Sequence, residues 1–512
     1  MPVNASRARR AAALVVLIAG CASLPPPGER APSRALEDTG GTLLGRMVAA
    51  AGPRAEAGIH ALPDPHDAFV ARMALAAVAE RSLDLQYYIW HGDVSGTLLY
   101  EAALRAAERG VRVRLLLDDN NTAGLDPLLA ALDAHPNIEV RLYNPFAHRG
   151  ARALDFIADF DRVNRRMHNK AFIADNQAAI VGGRNVGDEY FAAGEGKVFA
   201  DLDVLAVGPV VREVSGSFDR YWNSASAYPA GALLGAGSMD AATLEATFAE
   251  ARARPEARGY LEALRDSALA RGIAERSVRF DWVPARVLVD DPAKTLGEAP
   301  DSVLLLSGLM RAIGRPRQSF DLVSPYFVPG KAGARALTDL ARGGVRVRVL
   351  TNSLAATDVA PVHAGYAKRR EALLEAGVRL YELKPTADAV RVDGARRQAG
   401  HSGASLHAKT FAVDGEHLFV GSFNFDPRSA RLNTELGLLI DSRELAGRLA
   451  AAFERDIPGD AYEVRLSPAG GLEWIDRPRA GPERVYDTEP GTGALQRGWV
   501  DFLEWLPIEP LL

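Results

Sequence analysis

The sequence predicts a chain built from two related, layered α/β units in tandem, and three observations carry that prediction. A hairpin-like stretch, HNKAFIADNQAAIVGGRN at 168–185, returns as HAKTFAVDGEHLFVGSFN at 407–424. The segments ahead of the two copies also match: RSLDLQYYIW with QSFDLVSPYF, GVRVRLLLDDNN with GVRVRVLTNSLA, and IEVRLYNPF with GVRLYELKP. Between them lie TLLYEAALRAAERG and ARALTDLARGG, apolar at helical spacing, so each half alternates strand and helix before ending in its hairpin. Runs such as VRVRLLLD, apolar at their C-terminal ends, suit strands covered by helices on both faces.

A length of 512 residues exceeds what one core supports, which agrees with two domains. Hydrophobic residues make up 48% and charged residues 24%, the balance of a globular protein. A net charge of -5 gives no global attraction for nucleic acid. Arg7, Arg9 and Arg10 precede the apolar run AAALVVLIAG, too short for a permanent membrane span, so residues 1–21 read as a signal segment. Cys21 is the single cysteine, so no disulfide forms within the chain. Residues 22–45, which open with Pro-rich and polar sequence, are expected to form a flexible tether. The first unit then covers 46–223 and the second 286–512. The Ala-, Glu- and Arg-rich stretch 224–285 reads as a helical bridging insert broken near Pro255. DDPAK at 290–294 is expected to form a loop beside the site.

Within each motif, His and Lys stand two apart (His168 and Lys170; His407 and Lys409), which alternation places on one face of a strand. Asp175 and Asp414 sit at tight turns, Gly183 and Ser422 close the second strand, and Asn185 and Asn424 follow. An imidazole, an ammonium and an amide donor suit a group whose negative charge is spread over several oxygens, such as phosphate. One such stretch could be an incidental surface hairpin; two that agree at every position argue for chemistry.

The double pattern HxKxxxxD, followed by Gly-Gly or Gly-Ser, resembles the phospholipase D superfamily from about residue 65 to the end. The resemblance implies two phospholipase D-like α/β/α sandwich domains with pseudo-twofold symmetry and an active site at their interface. It implies His168 as a nucleophile forming a phosphohistidine and His407 as acid and then base, although the symmetry leaves the reverse assignment open. Lys170, Lys409, Asn185 and Asn424, with Gly183 and Ser422 beside them, would bind the phosphoryl group without a metal or other cofactor. Asp175 and Asp414, the acids of the motif, are assigned to holding its shape. Asp203 in FADLDVLAVG and Glu435 in RLNTELGLLI stand in apolar runs after the motifs, and the resemblance supports them as His-orienting carboxylates; edge-strand solubility is the plainer alternative.

IVGGRNVGDEYF with FADLDVLAVGPVV, and GSFNFDPRSARLNTELG, look most like bacterial cardiolipin synthases without N-terminal transmembrane helices. That likeness implies a phosphatidyl transferase acting on phosphatidylglycerol, with phosphatidylethanolamine as a possible second phospholipid. A phospholipase D that hydrolyses phospholipid to phosphatidic acid is the nearest alternative. A nucleic acid phosphodiesterase and a lipid-binding lipoprotein with a degenerate site are further ones. Ile18-Ala19-Gly20-Cys21 resembles a lipobox, with Ile in place of the usual Leu, which implies lipidation at Cys21; Ala22 resembles outer-membrane lipoproteins facing the periplasm.

His60, His66, His91, His135, His148, His363, His401 and His417 lack metal-ligand spacing. The aromatics of LQYYIWHGD, with Tyr326 and Phe327, could line a ligand channel or pack in the core. Trp499, Phe502, Trp505 and Leu506 recur at helical spacing, for docking back on the protein or for contact with a membrane interface.

Overall fold

A computed structural model describes residues 24–25, 30–52, 55–194, 196–235, 239–275, 277–385, 403–507 and 509–512. The signal segment with Cys21, and His401, lie outside the described residues. The first half contributes β1 (Ala57–Leu62), β2 (Ser82–Tyr87), β3 (Arg112–Asp118), β4 (Ile138–Tyr143), β5 (Ala171–Ala174), β6 (Ala178–Gly182), β7 (Val198–Ala200), β8 (Asp203–Val207), β9 (Ala227–Pro229) and β10 (Asp281–Val283). All but β7 form one sheet in the order β10-β1-β8-β6-β5-β2-β3-β4-β9.

The second half contributes β11 (Ala285–Val289), β12 (Ser319–Val323), β13 (Arg346–Asn352), β14 (Arg379–Leu383), β15 (Ala404–Leu406), β16 (Thr410–Val413), β17 (His417–Gly421), β18 (Leu436–Asp441), β19 (Ala461–Leu466), β20 (Leu472–Asp476) and β21 (Arg484–Tyr486). All but β15 form a sheet in the order β11-β18-β17-β16-β12-β13-β14-β19-β20-β21. From β1 to β9 and from β11 to β19 the two orders coincide, so the repeat seen in the sequence is a repeat of topology. The central strands β2, β3 and β4 are parallel, as are β12, β13 and β14, and each hairpin strand joins them antiparallel.

Alternation sets the layers. In β5 and β6, Phe172 and Ile180 point into a core beneath helices Pro65–Val78 and Val94–Glu108, while Ile173 and Val181 point the other way. That second core is shared by both sheets: it joins Val181 and Val204 to Leu350, Val420 and Leu438, with helices Pro209–Trp222 and Arg443–Arg455 packed into it. Each half is an α/β/α sandwich, and the two stand face to face. Matching buried pairs mark both sheets: Arg114 donates to Asp84 across β2 and β3, and Arg348 to Asp321 across β12 and β13, at 2.6 and 2.8 Å in each case. Parallel pairing of β7 with β15 stitches the halves together.

Two expected segments behave otherwise. Residues 30–45 are no loose tether: Ser33 and Ala35 donate to Asn223 and Asp219, Thr39 and Thr42 are buried, and Thr42 caps helix Leu43–Ala51. The insert is helical and breaks ahead of Pro255, yet it does not bridge the halves. Its helices Ala241–Ala253, Pro255–Arg265 and Ala268–Ala274 place Leu244, Phe248, Tyr260 and Leu269 in the outer core of the first half, because those apolar positions find partners on helices Pro65–Val78 and Val94–Glu108. The following residues complete the first sheet as β10, so the passage between sheets falls at Pro284.

Candidate active site

The two hairpins turn alike. Asp175 and Asn176 have φ of 52° and 51°, and Asp414 and Gly415 have φ of 54° and 67°. Two successive left-handed residues give the turn a twist that matches the strands, and Asp, Asn and Gly reach that region at least cost. The Asp175 carboxylate accepts the N–H groups of Glu80, Arg81 and Ser82 at 2.7–3.2 Å. Asp414 takes those of Arg317, Gln318 and Ser319 at 2.7–3.0 Å. Both acids fasten the entry of a central strand and stand at the opposite end of the hairpin from the His and Lys.

His168 and Lys170 come just before β5, and His407 and Lys409 just before β16, at the C-terminal ends of the parallel strands. All four are buried. Each lysine ammonium donates to the carbonyl of its own histidine at 2.6 Å. The histidine backbones reach across the interface: His168 N–H donates to Thr434 O at 2.9 Å and His407 N–H to Ala200 O at 2.8 Å.

The orienting acids cross over as well. His168 Nδ1 lies 2.9 Å from Glu435 Oε2, and His407 Nδ1 lies 2.5 Å from Asp201 Oδ2. A carboxylate acceptor places the proton on Nδ1 and leaves Nε2 as the free nitrogen of each ring. Asp203, expected in this role, is directed elsewhere: it bonds Arg72 at 2.8 Å and the Arg184 N–H at 3.1 Å. Register explains the difference. Gly182 faces Asp203 and Gly421 faces Gly437, so the counterpart of Glu435 is Asp201, two residues before Asp203. FADLD offers both acids, and the pairing selects the first.

Gly183 and Ser422, expected at the substrate, lie against these acids instead. A Cβ on Gly183 would meet Asp201 Oδ1 at 2.1 Å, so only glycine allows the carboxylate in. Ser422 Oγ donates to Glu435 and accepts the Leu436 N–H at 3.0 Å. The asparagines also differ. Asn185 is tied down, accepting from Ile89 N–H and donating to Tyr190 OH at 2.9 Å. Asn424 is buried with its Oδ1 unpartnered among the described residues.

Tyr88 packs edge-on to His168, and Tyr190 and Phe199 pack on His407, all with centroids 5.1 Å apart. Tyr326 donates to Asp358 at 2.7 Å. Tyr87, Trp90 and Phe327 are core residues. Tyr190 and Phe199 escaped the sequence reading; their signal is adjacency, one in GDEYF after the motif and one two residues before Asp201. The DDPAK segment braces Glu435: Asp290 Oδ2 accepts the Glu435 N–H at 2.9 Å and the Lys294 ammonium at 2.8 Å.

Burial drives the electrostatics. It pushes the His168 ring well below the usual imidazole range, with Lys170 and Lys409 pushing the same way. Burial also lowers Lys170, helped by Lys409, and takes Lys409 down to about 8 against the pull of Asp201 and Glu435. The acids diverge. Burial lifts Glu435 to about 7, opposed by Lys170, whereas for Asp201 the His407 ring, Lys409 and Arg184 outweigh burial and bring it to about 2. Burial and Lys409 lower His407 as well, but Asp201 opposes them, so it falls less far than His168. We place the negative charge on Asp201, which makes His407 the more readily protonated ring. Among the described residues no group of three or more His, Cys, Asp or Glu could hold a metal ion.

A family model described as cardiolipin synthase, PLD-like domain, matches residues 73–222 and again 309–457. The chain belongs to this phospholipase D-like family. As such it is a phospholipase D-type phosphatidyltransferase. It is 47% identical over 457 residues to cardiolipin synthase C of Escherichia coli (strain K12), covering 89% of this chain and 96% of that protein. It is 32% identical over 397 residues to an uncharacterized protein of Helicobacter pylori 26695, covering 77% and 78%. The phosphatidylserine synthase of Haemophilus influenzae Rd KW20 superposes with a TM-score of 0.56 at 14% identity, over 90% of this chain and 96% of that one, a likeness of fold alone.

Proposed function

We propose that this chain makes cardiolipin by moving a phosphatidyl group from one phospholipid through His168 to phosphatidylglycerol. The observation that carries the proposal is the crossed pairing, His168 with Glu435 and His407 with Asp201. It supports two unlike histidines in one cleft. His168, held neutral, attacks phosphorus through Nε2; the bond from phosphorus to the headgroup oxygen breaks, and protonated His407 supplies the proton with which the alcohol leaves. The phosphatidylglycerol hydroxyl then gives its proton to His407, its oxygen attacks phosphorus, and the phosphorus–nitrogen bond breaks to free His168. Lys170, Lys409 and the Asn424 amide N–H face the non-bridging oxygens, each such donor contributing about 3 kcal/mol. The same reading makes the protein a lipoprotein anchored through Cys21 in the bacterial envelope, facing the periplasm. Among the described residues no helix is long and apolar enough to cross a membrane.

The test is incubation in mixed micelles of phosphatidylglycerol and phosphatidylethanolamine without divalent metal, with His407→Ala as control and lipid products read by mass spectrometry. Cardiolipin that is absent from the control is the expected result. Phosphatidic acid alone would make the protein a hydrolase, and cleavage of nucleic acid with neither lipid product would overturn the lipid reading.

A further inference from the structure

Two exposed apolar patches lie on segments that adjoin the site. Helix Ala494–Trp505 docks through Val500 and Leu503 onto Leu354 and Ala364, the latter on helix Ala360–Glu375. Its outer arc leaves Trp499, Phe502 and Trp505 at 53, 53 and 90% exposure. The second patch comes from the first half, where Ile157 is 76% and Phe160 42% exposed.

The segments that carry these patches meet at one side chain of the second half. Arg428 donates to Asn164 O at 3.0 Å, four residues after Phe160, and to Leu511 O at 2.7 Å, beyond the C-terminal helix. The same guanidinium acts through space on Tyr88, whose ring lies against His168. The C-terminal helix also reaches the site from the other side: Gln496 donates to Leu354 O, and Asp358, four residues on, accepts from Tyr326 and acts on Lys409.

Between the patches stand Arg165, Arg428 and Arg431, none of which makes an ion pair among the described residues. Arg165 and Arg428 spend their donors on backbone carbonyls and on Asn164, and Arg431 is exposed. The two apolar patches thus adjoin a cationic cluster, with Asp161 and Asp501 as exposed acids on the same segments. Tryptophan and phenylalanine beside arginines that lack a carboxylate partner match a bilayer interface carrying anionic headgroups, where rings enter the acyl boundary and exposed Arg431 meets phosphate.

We infer that this face, formed by the outer arc of the C-terminal helix, the Ile157–Phe160 segment and the arginines between them, seats the protein on an anionic lipid surface with the active-site mouth against the bilayer. The inference rests on the phospholipid reading and adds to it. Lipid would reach His168 and His407 from the membrane plane, without first leaving the bilayer.

The full chain, made in a cell-free system so that Cys21 stays unmodified, is mixed with phosphatidylglycerol–phosphatidylcholine vesicles whose acyl chains carry bromine. Of the 6 tryptophans, Trp499 and Trp505 are the pair on this face. Tryptophan emission should be quenched, and Trp499→Phe with Trp505→Phe should remove most of the quenching. In a Trp499→Ser, Phe502→Ser, Trp505→Ser variant, turnover of vesicle lipid should fall about tenfold, while turnover of a short-chain monomeric phospholipid stays unchanged. Quenching that survives the Phe substitutions, or an equal loss on vesicles and monomers, would overturn the inference. So would a wild-type dimer that the Ser variant converts to monomer, which would assign the face to a second copy. Quenching needs no turnover, so a wild-type protein that is quenched yet inactive on monomeric phospholipid would sink the proposed function and leave the docking face standing.

Discussion

Asp201 and Asp203 stand two residues apart and do unlike work, and substitution separates them. Asp201 fixes the His407 ring at 2.5 Å, so on the proposed mechanism Asp201→Asn leaves the wrong tautomer and lowers turnover about 10³–10⁴-fold in protein that still folds. Asp203 neutralises buried Arg72 and Arg184, so Asp203→Asn strands buried charge and costs about 3–5 kcal/mol in a denaturant titration. The pH profile belongs to the same scale. Glu435 must be ionised to hold the Nδ1 proton of His168; since burial lifts it to about 7, the rate should climb as pH rises through about 7. His407, the proposed acid, is lowered by burial and by Lys409, and Lys409 is itself brought down to about 8, so loss of the His407 proton and then of the Lys409 charge should bring the rate down again as pH rises. Rates on monomeric substrate from pH 5 to 10 give the profile, and Glu435→Gln should show a low rate with no acidic limb. An acidic limb that persists in that variant would remove Glu435 from the explanation.

At the scale of the element, each motif hairpin is fastened at its turn by one carboxylate and three backbone N–H groups. Asp175→Ala leaves those donors without their acceptor and should cost about 2–4 kcal/mol, read as a shift in the urea midpoint at constant slope. Gly183→Ala should behave differently. Its Cβ can be accommodated only by moving Asp201, so turnover falls about 100-fold while the unfolding midpoint changes much less. The hairpins and the strand–helix order were legible in the sequence because alternation and turn chemistry are local. The choice of Asp201 over Asp203 was not, because it depends on which residue β6 places opposite Gly182, a register that counting along the chain cannot supply. The insert shows the same limit: its periodicity announces helices, while the partner for Phe248 and Tyr260 lies on helices more than a hundred residues earlier.

At the scale of the molecule, neither half contains a complete site. His168 takes its acid from the second half and His407 from the first, and the backbone N–H of each is satisfied across the interface. The core between the sheets is shared too, with Val181, Val204 and Phe218 on one side and Leu350, Leu438 and Phe453 on the other. Cutting the chain at Pro284 therefore separates two sheets without cutting either, yet bares an apolar face on both fragments. Fragments 1–283 and 284–512 expressed apart should aggregate and show no turnover; expressed together they should co-purify and recover it. Within that complex, Glu435→Gln in one fragment should add nothing to the loss that His168→Ala causes in the other, because the two groups form a single functional unit whose substitutions do not add. A lone half that turns over substrate would mean that its histidine needs no acid from across the interface, and the crossed pairing would lose its place in the mechanism.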